Sequence, residues 1–207
     1  MLEFFYKTHC SLKLGLILMI SSLIFPATQR LPTNNLNLSQ LNDFPQLEIG
    51  DVILRQGLGV DSALISKVSH SQFSHIGMVA AVSPSIVVIH ATTDDDPKHL
   101  NQVIVSSLFD FVSKSKRIAV KRYFLTEKQK REISLFLKSM LGKPFVINGE
   151  KDSLYCSTLI SKALSPYIDT KKLEYSYLDL PVISGWYLFP EEFLQDKNSS
   201  LIYNLEN

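Results

Sequence analysis

Two short apolar runs, FSHIGMVAAV at residues 73–82 and IVVIHA at residues 86–91, are separated by little more than Pro84 and Ser85. Their β-branched and small apolar residues suit strands, and a turn this tight pairs them as an antiparallel hairpin. Each run is broken by one histidine, His75 in the first and His90 in the second. Pairing about the turn brings the two rings near each other, within the slack of a bulge, so that one imidazole can orient the other. A lone histidine in a buried strand is most often a satisfied core or edge residue. Two on adjacent strands, in a chain with five histidines, weigh against that reading.

The rest of the chain supplies a sheet and its cover. GDVILR (50–55) reads as a strand, and GLGVDSALISKVS turns into a short helix for which Asp61 or Ser62 is the expected N-cap. The polar loop TTDDDPKH (92–99) reads as solvated, with Asp94, Asp95 and Asp96 lacking the glycine and spaced ligands of a calcium loop. QVIVSS and RIAVKRYF (117–124) follow as strands, giving about five, with a short helical piece between them. TEKQKREISLFLKSMLGKP (126–144) is the best helix: Thr126 and Gln129 form a capping-box pair, and Ile133, Phe136, Leu137, Met140 and Leu141 make one stripe. LPVISGWYLFPEEFLQD ends the pattern with a strand-like run and a helical turn. Strands in succession with helices grouped around them predict an α+β domain built on an antiparallel sheet or partial barrel. GLGVDS imitates a dinucleotide-binding glycine motif, but Ser62 stands at the third glycine position and no acidic ribose ligand follows.

A chain of 207 residues, 45% hydrophobic, is enough for one domain with a real core. The formal charge of +1, from 21 basic and 20 acidic residues, gives no global field for nucleic acid, so the partner is recognised locally. At the N-terminus Lys7, His9 and Lys13 precede the apolar run LGLILMISSLIF (14–25), which Pro26, Ala27 and Thr28 follow. That order predicts a signal peptide over residues 1–27, cleaved near Ala27, and export to the periplasm or cell envelope. The alternative is an uncleaved anchor reaching back to Phe4, with contact to the membrane surface through the N-terminus. Residues 28–48, rich in Asn, Gln and Pro, read as a linker, and the packed domain is expected over 49–207.

Cleavage would remove Cys10 and leave Cys156 as a single thiol in a compartment where thiols usually pair. Cys156 lies in DSLYCSTLISKAL (152–164), where Asp152 or Ser153 is the expected cap of a helix. In the first turn, unpaired backbone N–H groups and the helix dipole favour a thiolate. The bland alternative is a small buried hydrophobe spaced with Ile160 and Ala163 on the inward face. A third reading, zinc on Cys156, His75 and His90, lacks the short-spaced ligand pairs that structural zinc sites show. His70 and His99, in polar loops, are expected to be solvated.

Taken together, GDVILRQG, SHIGMV, VIHA, LGKPF, YCSTLISKAL and YLFPEEF resemble the permuted papain-like hydrolases of the YiiX/YebB type, relatives of the NlpC-type cell-wall peptidases, over residues 49–195. In that family the histidine strand precedes the cysteine helix, as His75 precedes Cys156 here. The resemblance implies Cys156 as nucleophile, His75 as general base and His90 as the polar residue that fixes the base, with Tyr155 and Ser157 supporting the oxyanion region. It implies no cofactor and no metal. Many relatives have glutamate at the position of His90, Cys-Ser-Glu in place of Cys156, Ser157 and Thr158, and aspartate near Val146 and Ile147. The expected substrate is an amide or peptide bond of the cell wall. An acyl-lipid amide or ester is the alternative within enzymes, and a catalytically silent binding module of the same fold is the alternative outside them.

Overall fold

The computed structural model describes residues 44–58, 60–181 and 183–206, so the expected signal segment and most of the expected linker lie outside the described residues. Six strands form one antiparallel sheet in the order β4-β3-β2-β1-β5-β8. They are β1 (Val52–Gly57), β2 (His75–Ala81), β3 (Val87–Thr92), β4 (Gln102–Ser107), β5 (Ser115–Tyr123) and β8 (Ser199–Glu206). A separate hairpin pairs β6 (Tyr175–Asp179) with β7 (Ser184–Leu188). Helices α1 (Val60–Ser69), α2 (Leu108–Val112), α3 (Glu127–Ser139), α4 (Cys156–Leu164) and α5 (Pro190–Gln195) complete the α+β domain. No helix among the described residues is long and apolar enough to cross a membrane.

The alternation of side chains along each strand divides the interior in two. Val52, Leu54, Ile76, Met78, Ala80, Ile89 and Ala91 point to the face covered by Ile133 and Leu137 of α3 and Leu159, Ile160 and Ala163 of α4. Ile53, Val79, Val88, Ile118 and Val120 point the other way, where Phe111 and Val112 of α2 close a smaller core. The capping box at the start of α3 is present: Thr126 N donates to Gln129 at 2.8 Å and Gln129 N donates to the Thr126 hydroxyl at 3.3 Å.

Several local expectations change. Helix α1 begins at Val60, ahead of Asp61 and Ser62. Helix α4 has Tyr155 as its N-cap, and Cys156 is its first residue. The cap works through Thr158, whose hydroxyl accepts from Tyr155 N at 2.9 Å and donates to Ser153 O at 2.7 Å. A residue at the third helical position reaching back to the N-cap amide is the task glutamate performs in a capping box. Packing also begins before Ile49: Leu47 is buried, Phe44 meets the Tyr203 ring at 4.7 Å, and Glu48 pairs with Arg122 at 2.8 Å.

Candidate active site

The hairpin predicted about Pro84 forms, with Met78 opposite Ile89, Val79 opposite Val88, and a register shift before Ala81 and Val87. Continuing that register sets His90 opposite Gly77, two residues from His75 and on its face of the sheet. Their rings meet edge to face at 5.0 Å between centroids, and His75 Nε2 and His90 Nδ1 share a hydrogen bond of 2.8 Å. His90 Nε2 lies 2.9 Å from the Ser106 hydroxyl on β4. Phe111 forms the floor, with ring centroids 5.7 Å from His75 and 4.9 Å from His90. Gly77 makes room for it, because a Cβ there would stand 2.7 Å from Val88 and 2.9 Å from Phe111.

The register also brings Arg55 of β1 opposite His75. Arg55 is buried, its Nη1 donates to Phe111 O at 2.8 Å, and its guanidinium lies 4.4 Å from the centre of the Phe111 ring. Its other nitrogen, Nη2, pairs with the Asp95 carboxylate, which is also 3.6 Å from His90 Nδ1. The reading of Asp94 to Asp96 as a solvated turn therefore fails at Asp95, whose side chain is only 13% exposed because the loop folds it over the sheet. Asp96 does sit at the surface, hydrogen-bonded to the exposed His99, and His70 is exposed as expected.

Cys156 is carried towards the same end of β2 by α4, which packs on β2 and β3 and sets the thiol against the core beneath that helix. The sulfur faces the backbone N–H groups of Ser157 and of Ile76, the residue after His75, and lies 3.9 Å from the Ser157 hydroxyl. Among the described residues no hydrogen bond joins the sulfur to either imidazole; the link is the Ile76 amide, next in sequence to His75. The N–H groups of Cys156, Ser157 and Thr158 precede the first backbone bond of α4, Leu159 N to Tyr155 O, so they carry the helix's positive end. Tyr155 is buried, and its hydroxyl accepts from Leu188 N at 2.7 Å, tying the helix start to the β6–β7 hairpin. Ser157 is fully buried behind the cysteine.

The electrostatics reverse one expectation, that of a resting thiolate. Burial pushes the Cys156 thiol up, against the Ser157 hydroxyl, the Ser157 and Ile76 amides and the Arg55 charge, all of which favour the anion. Burial, Arg55 and His90 hold His75 well below the ordinary histidine range. Burial and Arg55 bring His90 to about 3, with Asp95 opposing and Lys114 adding to the depression. Both directions favour a neutral thiol and neutral imidazoles at rest.

A thiol at the start of a helix that packs on an antiparallel sheet carrying paired imidazoles is the arrangement of the papain-like class of thiol hydrolases. Residues 46–203 match the family described as permuted papain-like amidase enzyme, YaeF/YiiX, C92 family, and the chain belongs to that family. It is an amide-hydrolysing enzyme of the cysteine type. Among solved structures, the crystal structure of metalloprotein YiiX from Escherichia coli O157:H7, DUF1105, is similar with a TM-score of 0.66 and 18% identity, over 79% of this chain and 100% of that one. No curated protein matches.

Proposed function

We propose that Cys156 is the nucleophile of an exported amidase that cleaves cell-wall peptide through an acyl-thioester. The 2.8 Å bond between His75 and His90, with a sulfur held at the amide of Ile76, the residue next to His75, carries this reading. With Nε2 of His75 committed to His90, Nδ1 is the edge left to take a proton. That edge is a base only if Nε2 carries the ring hydrogen and donates to His90 Nδ1. His90 then carries its own hydrogen on Nε2 and donates it to Ser106.

The chemistry follows from those positions. His75 Nδ1 takes the thiol proton as the sulfur attacks the carbonyl carbon, and the oxyanion is met by N–H groups at the start of α4. Collapse breaks the carbon–nitrogen bond, and His75 returns the proton to the leaving amine. Water then attacks the thioester carbonyl and gives its proton to His75. The carbon–sulfur bond breaks, and the released sulfur regains that proton as the acid leaves. Tyr155 and Ser157 support the helix start from which the amides point.

The structurally similar protein is described as a metalloprotein, and His75, His90 and Asp95 do bring one donor atom each to within 4.8 Å of one another. The donors do not suit a cation as they stand. The two imidazoles are bonded to each other, and the carboxylate already holds the Arg55 guanidinium. The reaction is accordingly derived from protein groups.

The choice of cell-wall peptide rests on the family together with the apolar N-terminal run, and an acyl-lipid amide or ester would follow the same steps. The test is digestion of purified cell wall and of an acyl-lipid panel by the wild type and by Cys156→Ala, with product masses read out. Peptide fragments that gain one water, lost in the variant, are expected. Lipid cleavage alone would replace the substrate, and undiminished cleavage by Cys156→Ala would remove the thiol mechanism.

A further inference from the structure

Arg55 occupies a position where a charge is costly, at an inward site of β1 with 4% of its surface exposed. Asp95 crosses from the β3–β4 loop to meet it, and the backbone carbonyl of Asp95 accepts from Lys114 Nζ. Arg55 Nε has no hydrogen-bond partner among the described residues, so the guanidinium is not fully satisfied by its surroundings. A buried ion pair of this kind gives a core little that apolar side chains would not. Its contacts indicate another role: the carboxylate is 3.6 Å from His90 Nδ1, and the arginine stands opposite His75 in the sheet.

We propose that Arg55 and Asp95 are positioning residues of the hydrolytic site, a guanidinium–carboxylate clamp that fixes the His75–His90 pair and sets its electrostatic surroundings. This rests on the reading of Cys156, His75 and His90 as the reacting constellation. The charged and titratable groups around the pair are Arg55 from β1, Asp95 and the neighbouring Asp94 from the β3–β4 loop, Lys114 from the turn after α2, and Cys156 from α4. Arg55 opposes a charge on either histidine, and Asp95 favours one on His90 more weakly than Arg55 opposes it. The clamp therefore leaves His75 uncharged at rest and ready to accept the thiol proton. The carboxylate stays close to His90, where it steadies the ring whose Nδ1 faces a newly formed imidazolium. Arginine suits the place because its fork engages Phe111 O and Asp95 together and its plane stacks on Phe111.

The test is nitrogen NMR of the histidine rings in the full-length protein, titrated from pH 8 to pH 3 without substrate, together with kcat and KM on purified cell-wall peptide. In the wild type, both site rings are expected to stay uncharged down to pH 5. Arg55→Gln should raise the His90 transition by at least one pH unit, and Arg55→Lys should restore the low value. Asp95→Asn should lower kcat with little change in KM. Arg55→Gln in the Asp95→Asn background leaves no buried charge unpaired, and it must still raise the transition relative to Asp95→Asn alone. Charged site rings at pH 6 in the wild type, or unchanged titration on losing Arg55 from the folded double variant, would overturn the clamp. Because titration is read without turnover, it separates this outcome from failure of the hydrolase reading.

Discussion

The two faces of the sheet are made by alternate residues of the same strands, yet they are built to different ends. On the face under α3 and α4, Val52, Leu54, Ile76, Met78, Ile89 and Ala91 are apolar from one end of the strands to the other. On the opposite face the apolar residues Ile53, Val79 and Val88 give way at one end to Arg55, His75 and His90. Buried polar groups reduce stability unless they are paired, and these are joined into one network with Asp95 and Ser106. One face holds the fold together; the other spends part of its burial on keeping three polar side chains in fixed relation.

That division can be broken from the polar side first. His75→Gln removes the proposed proton acceptor and should lower kcat/KM by about a thousandfold or more, near the effect of losing Cys156. His90→Gln keeps a hydrogen-bonding amide beside His75 and should cost only about ten- to a hundredfold. Steady-state kinetics on the two folded variants checks the inequality. Equal losses would mean that His90 does more than orient its neighbour.

The apolar side should respond mainly in stability. Leu159→Ala, under the sheet, is expected to cost about 2–5 kcal/mol by denaturant unfolding while leaving the pH dependence of activity in place. Gly77→Ala crosses between the two regions. Its added Cβ drives into Val88 and Phe111 and should cost about 1–3 kcal/mol, and by moving the ring floor it should also reduce activity. If Gly77→Ala lost stability with undiminished kcat, Phe111 would not be supporting the histidines.

Acid should expose the same difference more gently. His75 and His90 are depressed in the folded state relative to the unfolded chain, where a histidine binds its proton near pH 6.5. Below that pH the unfolded state binds more protons, so stability falls as pH falls, by about 1.4 kcal/mol per pH unit for each histidine that stays neutral when folded. For His90 the loss continues towards pH 3, and above pH 6.5 neither histidine contributes to the slope. Unfolding free energies between pH 7 and pH 4.5 should therefore decline less steeply in His90→Gln than in the wild type. Parallel curves would contradict the buried neutral ring.

Much of this arrangement was legible in the sequence because it is local. The proline turn and the alternation on either side of it set the hairpin and brought His75 towards His90, and Thr126 with Gln129 announced the start of α3. Strand β6 was not legible, since Ser176 and Tyr177 are exposed and carry no burial signal, nor was β8, which lies at the sheet's edge against β5. Asp95 was missed for another reason. Three consecutive aspartates look like a solvated turn, and only the closure of a long loop over the sheet makes the middle one a partner of Arg55. The available signal was Arg55 itself, since an arginine at an inward position of a buried strand requires a carboxylate from elsewhere. The departure at Thr158 proved structural: the threonine makes the back-bond that caps α4.

As the proposed nucleophile, the sulfur of Cys156 must carry the acyl group during turnover. Intact-mass and peptide mass spectrometry of the wild type, quenched in acid during digestion of its substrate, measures this directly. An added acyl mass is expected on the peptide that contains Cys156, removed by hydroxylamine and absent from Cys156→Ala. Continued turnover, with Cys156 unmodified at every time point and the acyl group found on another residue, would contradict it.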